Sequence, residues 1–292
     1  MKTGKNNETK YSVPLVWAHR GARSAAPENT MAAARAAKAQ GAYGWELDVH
    51  LTQDGQVIVA HDHGLRRTTD IARVPDMPPR KYQVVNRLTL EQVRKLDAGS
   101  WFARRDPFGT IAAGAVTPQE LESYRAEIVP TLTEALDWTR ESGLQINVEI
   151  KDMLGGDDDG LVRAVIDLLR SSGMAERVLV SSFRAASLEL VHELCPEIPI
   201  GLLLDEKALH ASTASIITRL KELEAKALHP SMRGLYPGRI AEIRAAGFDV
   251  NVYTVNREED IHQLAIEGAS GIITDFPARA QTVLKRMGFP RP

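Results

Sequence analysis

Short β-branched apolar runs alternate with amphipathic runs along most of this chain, and that beat constrains the fold more than any other feature. Residues 15–18, 44–51, 145–150, 178–181, 200–203, 227–229, 249–254 and 271–274 read as strands. Residues 30–40, 89–96, 132–141, 161–171, 186–194, 215–224, 239–246, 258–267 and 279–287 carry helical patterning. The short run 57–60 fits a hairpin arm rather than a member of the series. Strands joined by helical crossovers lie parallel, and the sheet then fans open or closes on itself. Eight such strands favour an α/β TIM (β/α)8 barrel. No glycine-rich phosphate turn follows the first strand, which weakens an open dinucleotide-binding sheet.

Two stretches interrupt the beat, both between strands two and three. Residues 73–87 contain Pro75, Pro78 and Pro79 and read as a loop. Residues 99–128 show little pattern beyond 117–125, where Thr117, Pro118 and Glu120 suit the N-cap, N1 and N3 positions of a short helix. Thr89 and Gln92 form a similar capping box. Neither stretch has the apolar residues for its own core. The expected organisation is one barrel domain over residues 13–290, an inserted segment at about 99–128, and a polar N-terminal tail over residues 1–12.

Composition removes several function classes. Lys plus Arg (36) nearly balances Asp plus Glu (38), so no global charge draws the chain to nucleic acid or to an anionic membrane. No window approaches ~20 uninterrupted apolar residues, so stable membrane insertion is not expected. The lone Cys195 cannot form an intrachain disulfide, and the first ten residues lack an apolar leader segment; a cytoplasmic location is expected. Composition specifies no oligomeric state.

In such a barrel, reactive groups gather at the C-terminal ends of the strands. The first strand runs into His19 and Arg20, and the second carries Glu46 and Asp48, two apart and therefore on one face. His61 follows the hairpin arm, and the third strand ends with Glu149 and Lys151. Each has a plain structural alternative: a strand-end histidine held by a hydrogen bond, or Glu149 and Lys151 paired at the rim. Two inward carboxylates on an apolar strand resist such a reading, because a divalent cation is what removes their repulsion and lost hydration. Together the seven residues suit metal-assisted phosphoryl or acyl hydrolysis, with cations on non-bridging oxygens and imidazoles moving protons.

The same residues resemble a known family. His19-Arg20-Gly21, Pro27-Glu28-Asn29-Thr30, Glu46-Leu47-Asp48-Val49, Thr52-Gln53-Asp54-Gly55 and His61-Asp62 are similar to the glycerophosphodiester phosphodiesterases. Fainter echoes continue through Asn147-Val148-Glu149-Ile150-Lys151, Ser181-Ser182-Phe183 and Thr274-Asp275. The resemblance implies a TIM barrel holding one divalent metal ion, Mg2+ or Ca2+, on Glu46, Asp48 and Glu149. It implies His19 and His61 as the acid–base pair and Arg20 and Lys151 on phosphate. The substrates would be small glycerophosphodiesters such as glycerophosphocholine and glycerophosphoethanolamine, cleaved to glycerol 3-phosphate and an alcohol. The implied route has the glycerol 2-hydroxyl attack phosphorus, His19 as base and His61 as leaving-group acid; water then opens a cyclic phosphate.

Further residues are weighed beside these. Phe183, His229 and Tyr253 are read as a substrate-pocket wall, Tyr253 replacing the family's usual tryptophan. His50 is read as a hydrogen-bonded rim residue and the acids 157–159 as helix N-terminal charges. The Pro27–Thr30 box is read as structural, with Asn29 or Thr30 capping the helix and Glu28 bonding within the turn. The long 99–128 segment is expected to roof part of the mouth and to influence which alcohol is accepted. Two rivals stand beside the leading reading. One is a lysophospholipase D acting at the same site, with Trp101, Phe102, Phe108 and Ile111 as its acyl groove; the other is a catalytically inactive binding barrel.

Overall fold

The computed structural model describes residues 13–125 and 127–289. Nine strands run through them: β1 Leu15–Ala18, β2 Gly44–Leu51, β3 Val57–Val59, β4 Gln145–Ile150, β5 Val178–Ser182, β6 Ile200–Leu204, β7 Ala227–Pro230, β8 Asp249–Val252 and β9 Gly271–Thr274. Parallel pairing runs from β2 through β4, β5, β6, β7 and β8 to β9. β1 then pairs in parallel with both β9 and β2 and closes the sheet. β3 lies antiparallel on β2, with Val49 opposite Val59, and is the hairpin arm read from 57–60. Eight parallel strands with helices between them therefore form the expected TIM barrel.

Alternation along β2 shows how sequence places the site. Trp45, Leu47 and Val49 belong to the core between sheet and helices, and Trp45 Nε1 donates to Thr139 Oγ1 (2.9 Å) on helix Leu132–Ser142. Glu46, Asp48 and His50 take the other face, toward the barrel interior. Helix starts follow local chemistry. Thr30 caps Met31–Ala39, and Thr89, Thr117 and Thr131 each form a capping box.

The interruptions hold more structure than their sequence suggests. Residues 73–87 contain two 3-10 turns, Arg80–Tyr82 and Val85–Arg87. The inserted segment contains, besides Pro118–Tyr124, an unforeseen helix Ser100–Arg105, too short for a period to be visible. Tertiary burial fixes it: Trp101 and Phe102 pack with Val116 and Tyr124 against Ala26, Ala32 and Ala33 of the barrel. A second satellite core joins Ile58, Leu65, Ile71, Val85, Leu88 and Val93. Neither stretch forms a core by itself: each small cluster is completed with residues from outside the stretch, Ile58 of β3 in one and Ala26, Ala32 and Ala33 in the other. Gly99 is demanded by this packing: a Cβ there would lie 1.7 Å from the Tyr124 carbonyl oxygen. The 1–12 tail and residue 290 lie outside the described residues.

Candidate active site

Register brings the strand-end acids together. β2 and β4 align Asp48 with Glu149 and Glu46 with Asn147. Glu46, Asp48 and Glu149 each present a carboxylate oxygen within 4.8 Å of the other two. All three are buried, and Glu46 Oε1 and Asp48 Oδ1 have no hydrogen-bond partner among the described residues. Such acceptors are costly unless something absent from the polypeptide occupies them. Burial and the neighbouring carboxylates push Glu46 and Glu149 above the usual carboxylate range. Burial opposes ionisation of Asp48 as well, but Lys151 and Arg20 outweigh it and hold that carboxyl low. The donor set is all hard oxygen, which fits a divalent cation of the Mg2+ or Ca2+ kind.

Both cations expected on phosphate line this triad. Arg20 Nη1 donates to Glu28 Oε1 at 2.8 Å, its Nε stands 3.4 Å from Asp48, and its backbone N–H donates to Glu46 at 2.7 Å. Lys151 Nζ donates to Glu149 at 2.6 Å and lies 3.4 Å from Asp48. The rim pair considered for Glu149 and Lys151 therefore exists, and it exists inside the acidic cluster. Asn29 Nδ2 donates to Asp48 Oδ2 at 2.9 Å, so Thr30 alone of the two caps the helix.

Each histidine has its own carboxylate. His19 Nδ1 donates to Asp275 Oδ1 at 2.7 Å, and His61 Nδ1 donates to Asp62 Oδ1 at 2.7 Å. A carboxylate on Nδ1–H fixes the tautomer and leaves Nε2 free for substrate chemistry. Burial, with Arg20 nearby, lowers the His19 pKa, which suits a group resting as neutral base. Asp275 is further oriented by Asn256 Nδ2 (2.7 Å). Asp62 is gripped by Arg67 Nε at 2.6 Å.

Of the expected pocket wall, two members meet and one does not. Phe183 is 46% exposed, stands edge-on to Tyr253 at 6.0 Å, and has Lys151 Nζ 5.9 Å from its ring centre. His229 is instead fully enclosed, its Nε2 accepting from Asn251 Nδ2 at 3.0 Å, and burial lowers its pKa to about 4. β7 continues to Pro230, which leaves the ring below the mouth. His50 is buried as well, and its Nε2 donates to the His61 carbonyl (3.2 Å). Asp157 caps helix Asp158–Ser172, as expected of that acid run. Trp101 and Phe102 are buried in the insertion's core and form no acyl groove. Phe108 is partly exposed, edge-on to Phe276 at 5.4 Å, with the Arg23 guanidinium 5.3 Å from its ring centre.

Sequence reading missed Asp275 and Asp62 as partners, and it misplaced Glu28. Glu28 bonds to arginines rather than within its turn. The available signals were position and resemblance: Asp275 directly follows the last strand, Asp62 adjoins a singled-out histidine, and both lie in stretches similar to the family, which gave them no role.

Buried acids ringed by cations, with two carboxylate-held imidazoles at the end of a parallel barrel, are the equipment of a hydrolase of phosphoryl or acyl esters, with a donor set that suits a divalent cation. The chain matches the model of the Glycerophosphoryl diester phosphodiesterase family over residues 19–279. A glycerophosphodiester phosphodiesterase of Caldanaerobacter subterraneus subsp. tengcongensis is 31% identical over 277 residues, spanning 94% of this chain and 99% of that protein. The structure of an Oleispira antarctica phosphodiesterase in complex with the product sn-glycerol-3-phosphate is similar with a TM-score of 0.77 and 28% identity, covering 94% of this chain and 97% of that one. A glycerophosphodiester phosphodiesterase from Agrobacterium tumefaciens gives a TM-score of 0.70 at 26% identity, covering 92% and 99%. The chain belongs to the glycerophosphoryl diester phosphodiesterase family, and its activity is the hydrolysis of glycerophosphodiesters. Among the described residues no helix is long and apolar enough to cross a membrane.

Proposed function

We propose that hydrolysis runs on one divalent cation, Mg2+ or Ca2+, held by Glu46, Asp48 and Glu149, with His19 and His61 as the acid–base pair. The observation that carries this reading is the pair of buried oxygens without a hydrogen bond, Glu46 Oε1 and Asp48 Oδ1, inside a three-carboxylate cluster. When bound, such a cation supplies Lewis-acid polarisation of a phosphate oxygen. Arg20 and Lys151, already beside the acids, bind the remaining non-bridging oxygens and neutralise the charge that develops there.

His19 Nε2 takes the proton of the glycerol 2-hydroxyl as its oxygen attacks phosphorus. His61 Nε2 then gives a proton to the departing alcohol oxygen. In the second half the histidines exchange roles while water opens the cyclic phosphate. Each transfer contributes typically about 10²–10⁴-fold. The substrates of this reading are glycerophosphocholine and glycerophosphoethanolamine, and the products glycerol 3-phosphate and the free alcohol. Phe183 and Tyr253 form the wall on the Lys151 side, and the 99–128 segment bears on the alcohol through Phe108. Residues 13–290 act as one domain, and the free, buried Cys195 supports a cytoplasmic setting.

The burial of Trp101 and Phe102 weighs against the lysolipid rival, since it leaves only Phe108 and Ile111 of the four groove residues partly exposed. The test is chelator-stripped enzyme, rescued with Mg2+ or Ca2+ singly, against a glycerophosphodiester panel with product identification. Stripping is expected to lower the rate at least a hundredfold, with one cation restoring it and glycerol 3-phosphate released. Full activity after stripping, or none recovered by either ion, refutes the metal assignment.

A further inference from the structure

Glu28 lies in the Pro27–Thr30 turn, contributes nothing to the acid–base chemistry above, and is 4% exposed. Three guanidinium groups converge on it. Arg20 Nη1 (2.8 Å) and Arg67 Nη2 (2.7 Å) donate to Oε1, Arg67 Nη1 (2.9 Å) donates to Oε2, and Arg23 Nη2 stands 3.2 Å from Oε2. Each arginine also reaches a second carboxylate. Arg67 Nε holds Asp62 at 2.6 Å, Arg23 Nε stands 3.6 Å from Asp275, and Arg20 Nε stands 3.4 Å from Asp48. Asp62 and Asp275 are the residues that grip His61 and His19. Charge therefore alternates along one continuous path, from His19 through Asp275, Arg23, Glu28, Arg67 and Asp62 to His61.

Three guanidinium groups do not gather in a poorly hydrated space without an anion between them. Arg20 and Arg23 share the loop after β1 with Glu28 itself, and Arg67 comes from the segment after β3; the carboxylate between them offsets the mutual repulsion of the three cations. Without it, Arg67 would lose the anion that steadies it against Asp62, and Arg23 would be freed to leave its 3.6 Å ion pair with Asp275, a carboxylate that Asn256 also holds. Misplacement of a reacting group by about 1 Å can cost 10²-fold in rate.

We infer that Glu28 is a positioning residue that orients both imidazoles at once, through the hydrogen-bonded Arg67–Asp62 pair on one arm and the Arg23–Asp275 ion pair on the other. The inference rests on the acid–base reading of His19 and His61 and adds to it: the two proton-transfer groups share one buried anchor.

The experiment is a set of double-mutant comparisons on the metal-loaded enzyme. Glu28→Gln, which keeps size and removes charge, is expected to lower kcat by about 10²-fold with KM changed less than about threefold. In a His19→Ala/His61→Ala background the same change should keep only the part of its cost that passes through Arg20, at least about tenfold smaller than in the parent enzyme, because the imidazoles it orients are gone. Each arm has its own signature. Arg67→Gln should keep its cost in His19→Ala and lose it in His61→Ala; Arg23→Gln should do the reverse. The arms alone decide the matter if Glu28→Gln does not fold. Equal costs in every background overturn the inference. Losses below tenfold for His19→Ala and His61→Ala themselves would instead overturn the acid–base reading, so the two failures are distinguishable.

Discussion

The strongest single test of the site's geometry is Asp275→Asn. Asp275 Oδ1 accepts from His19 Nδ1 and its Oδ2 accepts from Asn256 Nδ2, both at 2.7 Å. Asn256 cannot turn over to suit a new neighbour, because its Oδ1 accepts from the Asp275 backbone N–H at 3.0 Å. A carboxamide at 275 therefore has two orientations, and each fails. With NH2 toward Asn256, two donors face each other. With NH2 toward His19, the imidazole is driven to its Nε2–H tautomer, and the nitrogen meant to accept a proton is already protonated. Loss of an imidazole-orienting carboxylate can cost about 10⁴-fold, and a whole proton transfer is worth about 10²–10⁴-fold. The expected fall in kcat is therefore about 10²–10⁴-fold, or about 3–5 kcal/mol at the transition state. Steady-state kinetics on glycerophosphocholine, with a melting curve to confirm folding, measures it. A folded variant that retains kcat within tenfold refutes the argument that Asp275 governs the His19 tautomer.

Two further outcomes follow from burial. His229, with its pKa lowered from 6.5 to about 4 by enclosure, takes up a proton in the unfolded chain before it does in the fold. Its contribution is thus present above pH 6.5, is eroded as pH falls, and is fully lost below about 4, a swing of about 3 kcal/mol. His229→Gln should flatten the fall in denaturant-measured stability between these limits, and an unchanged slope contradicts the account. Phe102, fully buried and edge-on to Trp101 and Tyr124 at 5.9 and 6.0 Å, anchors the insertion. Phe102→Ala should lower unfolding free energy by about 3–5 kcal/mol, and a loss under about 1 kcal/mol would show that this small core is loosely packed.

The barrel was legible because strands and helices write their periods into the chain, and Glu46 and Asp48 because two charges broke an apolar alternation. Periodicity carries no information about a helix as short as Ser100–Arg105, whose conformation is imposed by where Trp101 and Phe102 must go. His229 was misread for a related reason. Sequence shows where a strand run weakens, but β7 extends to Pro230 and keeps the ring beneath the mouth. Asp275 and Glu28 stand in recognisable local motifs, but their partners were out of reach of any local pattern. The partner of the first lies 256 residues away, and the role of the second exists only when Arg67, from the segment after β3, joins Arg20 and Arg23 of its own loop around it.

The seam between β1 and β9 has a consequence for how the molecule becomes active. All three acids sit on β2 and β4, which pair directly, whereas His19 and its aspartate meet only where the first and last strands join. An incompletely wound intermediate could hold the acidic nest yet lack an oriented base. Turnover therefore reports ring closure itself, and recovery of activity during refolding should lag behind the return of helix and strand signal.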